Sequence, residues 1–222
     1  MSSLPVMSPG GTGALADRIR VDIEEDILSA RLRPGSRVNA DELARERGVS
    51  HIPVREALRT LEADGWVTRR HNRGTYVRER DPGELADLFE ARLVVESQAV
   101  RFAAQRRTAE QIDALDALIG RQEVETDPAR LAALNCEFHV GLADCAHNAI
   151  LTSVVADLGK RVRFYYLPAA AARHDDSVTE HRAILAAVRD RDATVAARLL
   201  ERHISDTRAD ASPGGVESPR PR

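Results

Sequence analysis

Cysteine is nearly absent: Cys136 and Cys145 are the only two, too few for a disulfide framework, so a reducing compartment, the cytoplasm, is expected. Aromatic residues make up only 4% of the chain, with a single tryptophan, which argues against a sheet-rich core. No apolar run approaches the ~20 residues of a membrane-spanning helix, so no membrane partner is expected. The opening stretch MSSLPVMSPGGTG has neither a basic start nor an apolar centre and does not read as a secretory leader. A phosphate loop, a dinucleotide fingerprint, a nucleophile elbow and a His-Glu-x-x-His pair are also missing, which removes the commonest enzyme signatures. Nor is there a charge excess: 32 Lys+Arg face 35 Asp+Glu, for a net charge of −3. Taken as an average, that number gives no hint of a nucleic-acid partner.

What the chain does have is length, alanine and helical periodicity. Its 222 residues, 43% of them hydrophobic, leave room for one large or two modest domains. The 34 alanines favour packed helices. Residues 1–13 and 211–222 are rich in Pro, Gly and Ser and read as tails. Leu15, Ile19, Ile23 and Ile27 recur every four positions, predicting a helix over about 14–30 that ends at Pro34-Gly35. Asn39 can cap a short helix ending at Gly48, and Ser50 a second one ending at Gly65, with Val54, Leu58 and Leu61 inward. The period then changes: two short β-branched and aromatic runs around Asn72-Arg73-Gly74 predict a hairpin.

Asp81-Pro82 marks a boundary between a domain over 14–80 and one over 81–210. Every later start signal is helical, including Thr108, Asp127, Ser177 and Asp192. Helices are expected near 82–106, 108–123, 128–146, 148–172, 177–190 and 192–209, with short connections that imply an antiparallel bundle. The fold class is therefore mainly α: a winged helix-turn-helix followed by an antiparallel all-α bundle of these six helices.

The charges divide at the same place. Residues 1–80 carry 14 basic and 12 acidic side chains, net +2, and the remainder 18 and 23, net −5. Five arginines and one glutamate fall within Trp66–Arg80. Three helices and a basic hairpin suit double-stranded DNA, because a helix fits the major groove and its first residues reach the base edges. Those residues are Ser50, His51, Ile52, Val54 and Arg55, with Arg59 one turn on. The hairpin tip, Arg69, Arg70, His71, Arg73 and Gly74, can follow phosphates or enter the minor groove. The competing reading is a solvated arginine face that never meets DNA.

In the second half Leu131, Asn135, Phe138, His139 and Leu142 share one helical face. His181 and His203 sit on equally apolar faces of two later helices. A single inward histidine is ordinarily a hydrogen-bonded core residue. Three unpartnered imidazoles would each carry a penalty of about 1–3 kcal/mol, and one shared divalent ion satisfies them together. Open coordination positions would suit an organic acid, with Arg92 or Arg163 pairing to its carboxylate; packing is the alternative role for Arg163. The cysteines have no metal-knuckle spacing and read as small buried hydrophobes.

Arg33-Pro-Gly-Ser-Arg37, Asp41-Glu-Leu-Ala44, Gly48-Val-Ser50, Pro53-Val-Arg-Glu-Ala-Leu58, Leu61-Glu-Ala-Asp-Gly65 and Arg73-Gly-Thr-Tyr-Val77 resemble the GntR family of bacterial transcription regulators. The resemblance covers roughly residues 14–79 and implies DNA contacts from Ser50, His51, Arg55 and Arg59, with His71, Arg73 and Gly74 at the wing. Asp41 stands where the family often has arginine, and Ser50-His51-Ile52-Pro53 replaces its Ser-Arg-Thr-Pro. Over residues 83–209, Arg92-Leu-Val-Val-Glu96, Asn135-Cys-Glu-Phe-His139, Asn148, Glu180-His181 and His203 resemble the FCD ligand-sensing domain of FadR-type members. That resemblance implies an FCD-like bundle of six to seven helices and a divalent ion, Zn²⁺ with Ni²⁺ or Mn²⁺ as alternatives, held by Asn135, His139, His181 and His203. Asn135 replaces the usual aspartate and can instead contact the effector. It also implies a small carboxylate effector, for which Arg92, Arg163 and Asn135 are the candidate contacts; a homodimer on operator DNA is expected because one reading head spans only a few base pairs. The alternative function is a metal-dependent hydrolase using the same three histidines.

Overall fold

Ile19, Ile23 and Ile27 form one buried stripe of α1 (Gly10–Leu28) and pack it on the helix-turn-helix that follows. Asn39 caps α2 (Ala40–Glu46), its Oδ1 accepting the N–H groups of Asp41 at 3.1 Å and Glu42 at 3.4 Å. After a turn at Gly48 (φ 64°), α3 (His51–Ala63) buries Val54, Ala57, Leu58 and Leu61. The hairpin is β2 (Val67–Arg70) against β3 (Gly74–Val77), in register Arg70↔Gly74, with Asn72 in the left-handed region at φ 56°. A third strand, β1 (Arg37–Val38), pairs with the other edge of β3. Two residues are too few to show alternation, which is why the sequence pattern did not predict it.

The chain divides into two compact units between Glu79 and Arg80. The second contains α4 (Pro82–Arg106), α5 (Ala109–Val124), α6 (Pro128–Asp144), α7 (Ala149–Tyr166), α8 (His174–Arg189) and α9 (Ala193–Ala211). Asp81 and Asp127 cap α4 and α6 with proline in the first turn, and Thr108 and Gln111 form a reciprocal capping box on α5. α4 is the central helix: it buries Leu85, Leu88, Phe89, Val100 and Ala103 and packs along α9, α7 and α6.

Two boundaries within the bundle differ from the sequence expectation by more than two residues. α7 stops at Tyr166, not near 172, and passes into a short 3-10 turn, Leu167–Ala169. Pro168 is the cause, because it cannot donate to the carbonyl of Phe164 four residues back. Arg80 Nε donates to that carbonyl instead, at 2.9 Å. α8 begins at His174, so Ser177 is not its cap but a buried residue whose hydroxyl lies 3.2 Å from the Tyr166 hydroxyl.

The computed structural model describes residues 10–211. Of the expected tails, Gly10–Gly13 belong to α1 and Ala211 ends α9; residues 1–9 and 212–222 lie outside the described residues.

Candidate nucleic-acid interface and metal centre

In the first unit, Ile52, Arg55, Glu56 and Arg59 fall at i, i+3, i+4 and i+7 along α3 and line one side of a cleft of about 680 Å³. Arg69, Arg70, His71, Asn72 and Gly74 of the wing line the other. Ser50, His51 and Arg73 are exposed but outside this lining, and Val54 is fully buried, so it supports α3 from within and cannot reach a base. Asn72 is the lining residue that sequence reasoning passed over as a turn residue. Arg69 and Arg70 pair with Glu62 at 3.6 Å and Glu79 at 3.2 Å, and Arg70 stacks over Tyr76 at 4.4 Å. Arg55, Arg59 and Arg73 form no ion pair with the described residues and keep their charge for an outside anion. Gly74 (φ 99°) brings β3 close to Arg37, whose Nε would lie 3.2 Å from an added Cβ. A helix end and a basic wing facing one open cleft is an arrangement that accepts a duplex.

In the second unit the structure brings His139 of α6, His181 of α8 and His203 of α9 together. All three are buried, and their candidate ligand atoms lie within 4.8 Å of one another. His139 Nε2 and His203 Nε2 are 3.1 Å apart. Phe138 stacks on the His181 ring, centroids 3.9 Å apart, and makes an apolar wall.

Each imidazole has an acceptor behind it. His139 Nδ1 lies 2.8 Å from Glu96 Oε2, His203 Nδ1 2.7 Å from Glu180 Oε2, and His181 Nδ1 2.9 Å from Gln122 Oε1. These oxygens fix the tautomers: Nδ1–H donates outward, and Nε2 carries a lone pair. His181 Nε2 has no hydrogen-bond partner among the described residues. Arginines in turn hold the two carboxylates. Arg92 Nε donates to Glu96 Oε1 at 2.6 Å, and Arg173 Nη2 donates to Glu180 Oε2 at 2.5 Å.

Burial holds the imidazoles neutral. It lowers all three pKa values from the usual 6.5: for His181 and His203 the neighbouring rings add to the depression, while for His139 the Glu96 carboxylate works against it. Burial alone would raise Glu96, but Arg92 and His139 outweigh it and keep the group ionised. Three neutral imidazoles with converging lone pairs repel one another unless a cation lies among them. The donor set therefore fits a divalent metal ion, with a position left for a further ligand.

Asn135 precedes His139 by one helical turn; it is buried, and its Oδ1 has no hydrogen-bond partner among the described residues. It lines a cavity of about 10 Å³, room for about one water, with Gln122, Tyr166 and Ser177. Arg92 is buried against this centre: its Nη2 lies 3.4 Å from both His139 nitrogens, and its Nη1 has no hydrogen-bond partner among the described residues. Arg163 is also buried, on α7, near enough to Cys136 to act on its thiol, which burial pushes up to about 11. Sequence reasoning missed the roles of Glu96, Gln122 and Glu180. Arg92 and Glu96 carry a usable signal, an i, i+4 ion pair on the face that buries Phe89 and Ala99.

Residues 15–77 match the family described as bacterial regulatory proteins, gntR family, and residues 87–206 match the FCD domain. The Nta operon transcriptional regulator of Aminobacter aminovorans is 37% identical over 139 residues, 62% of this chain and 66% of that relative, just under two thirds of its length. The probable D-xylose utilization operon transcriptional repressor of Paenarthrobacter nicotinovorans is 30% identical over 194 residues, 86% of each protein. Among solved structures, E. coli McbR/YncC superposes with a TM-score of 0.78 at 23% identity, over 89% of this chain and 96% of that one. No helix among the described residues is long and apolar enough to cross a membrane. The chain is a transcription regulator of the GntR family, with a winged helix-turn-helix for DNA followed in sequence by an FCD domain.

Proposed function

We propose that this regulator is a homodimeric, cytoplasmic repressor whose FCD domain holds a divalent ion, Zn²⁺ by preference, and answers to a small carboxylate. The observation that carries the reading is the convergence of His139, His181 and His203, each backed by its own acceptor. A bound ion would supply positive charge and open coordination to an anionic ligand. His139, His181 and His203 are its ligands, and Asn135 offers a neutral oxygen to the ion or to the effector. Arg92, with Nη1 unused, orients the effector's carboxylate, and Arg163, buried on α7, is assigned to the same task. Ser50, His51, Arg55, Arg59, His71, Arg73 and Gly74 form the operator-contacting set.

A hydrolytic role is disfavoured because the nearby carboxylates are engaged. Glu96 and Glu180 each bind an imidazole and an arginine, which leaves neither as a general base beside the ion. The named function of the D-xylose relative, a repressor, supports the sign of regulation.

The test is fluorescence anisotropy on a labelled duplex selected from a random pool. Zn²⁺-loaded protein is titrated with a panel of mono- and dicarboxylates. At least one acid is expected to weaken duplex binding by 5- to 150-fold, the ordinary range of allosteric coupling. Unchanged affinity across the panel at millimolar acid would contradict the sensor reading.

A further inference from the structure

On α3 the branched aliphatic side chains are buried with one exception. Val54, Leu58 and Leu61 are at most 5% exposed, whereas Ile52 is 64% exposed in the first helical turn. It shares its stripe with Arg55 and Arg59 and faces the same cleft. A β-branched residue on a helix surface adds nothing to helix stability, and here it buries little against the fold. Its neighbour His51 is held by Asp41, Nδ1 to Oδ1 at 3.0 Å, and Glu56, one turn on, is the acidic member of the same stripe. Ile52 therefore stands as an exposed apolar point on a stripe of charged side chains.

A helix seated in the major groove presents its N-terminal end to the base edges. On those edges the distinctive apolar group is the C5-methyl of thymine; the remaining readout is by donors and acceptors. We propose that Ile52 is a specificity-determining residue that packs on a thymine methyl of the operator, selecting T over C at that position. The inference rests on the DNA-binding reading and deepens it. Arg55 and Arg59 supply charge and hydrogen bonds, which favour guanine or phosphate; Ile52 supplies a contact that carries no charge and is insensitive to salt.

The experiment uses the full chain and a duplex selected from a random pool, in which each thymine is replaced in turn by deoxyuridine. That change removes one methyl group and leaves base pairing intact. One replacement per half-site is expected to weaken wild-type binding about fourfold, the worth of one buried methyl-sized group. Ile52→Ala is expected to bind the parent duplex about fourfold more weakly and to bind the deoxyuridine duplex no more weakly than the parent; Ile52→Val retains the discrimination. An unchanged thermal melt is expected for both variants, since the side chain is exposed. The proposal is overturned if no thymine replacement weakens the wild type, or if Ile52→Ala loses the same factor as the wild type. Failure of the pool to enrich any duplex would instead overturn DNA binding itself, and this proposal with it.

Discussion

Glu180→Gln removes a charge from the rear of the three-histidine cluster proposed to hold the ion and leaves its shape. Glu180 Oε2 accepts from His203 Nδ1 at 2.7 Å and from Arg173 at 2.5 Å. A neutral amide oxygen in that place makes the imidazole less basic and fixes its ring less firmly. Partners of this kind typically carry 10–100-fold in metal affinity, about 1.4–2.7 kcal/mol. The Glu180 side chain is 24% exposed, against 5% for Glu96, so water screens part of its charge. The lower part of the range follows, roughly 10–30-fold. Arg173 keeps Asp210 at 3.0 Å, so no buried guanidinium loses its last partner and the fold is expected to hold. Glu96→Gln is a poorer probe, because it leaves the buried Arg92 without its carboxylate and mixes binding with unfolding. Competition for Zn²⁺ against a chromophoric chelator gives the affinity, and urea unfolding of chelator-treated protein gives the control. A change below twofold with an intact fold would refute the view that these acceptors tune the histidines.

Asn135→Asp is expected to tighten metal binding at least tenfold and to lower the stability of the metal-free protein by about 1–3 kcal/mol, because the new carboxylate is buried without a partner until an ion arrives; chelator competition and urea unfolding read the two effects. Acid is expected to destabilise the metal-free protein: the folded pKa values of His139, His181 and His203 lie below the usual 6.5, so the unfolded chain takes up protons that the core refuses. That stability is complete above pH 6.5 and falls as the pH drops below it, by up to about 1.4 kcal/mol per pH unit for each group, and a melting temperature unchanged between pH 7.5 and 5.5 would contradict the burial of neutral imidazoles. Gly159→Ala puts a Cβ 2.7 Å from Cys136 Sγ where α7 crosses α6, an overpacking expected to cost about 1–3 kcal/mol by urea unfolding.

The three histidines were legible because each sits on an apolar stripe, and burial of a stripe is what periodicity encodes. Their supports were not. Glu180 falls off the inward stripe of α8 by spacing, yet its carboxylate turns to His203 on the next helix, and pairing between helices leaves no mark in a one-dimensional period. Gln122 was hidden for the opposite reason: it continues the Leu115–Ile119 stripe and reads as its polar end until His181 is brought against it. Ser177 gave a false helix start because capping chemistry is local, whereas the choice of start was made by burial against Tyr166. The DNA-reading half was read more fully, since turn residues, caps and the arginine-rich hairpin are all local signals. Two readings there need amending: Ser50 precedes α3 but its side chain makes no capping hydrogen bond, and Val54, counted among the first-turn residues, faces inward as its spacing with Leu58 and Leu61 implies.

Metal content of untagged protein, purified without chelator and dialysed after exposure to excess Zn²⁺, tests the central claim most directly. Inductively coupled plasma mass spectrometry is expected to find about one divalent ion per chain, reduced to background in a folded His181→Ala variant. A folded wild-type protein that retains no ion, or an equal amount of metal in His181→Ala, would contradict it.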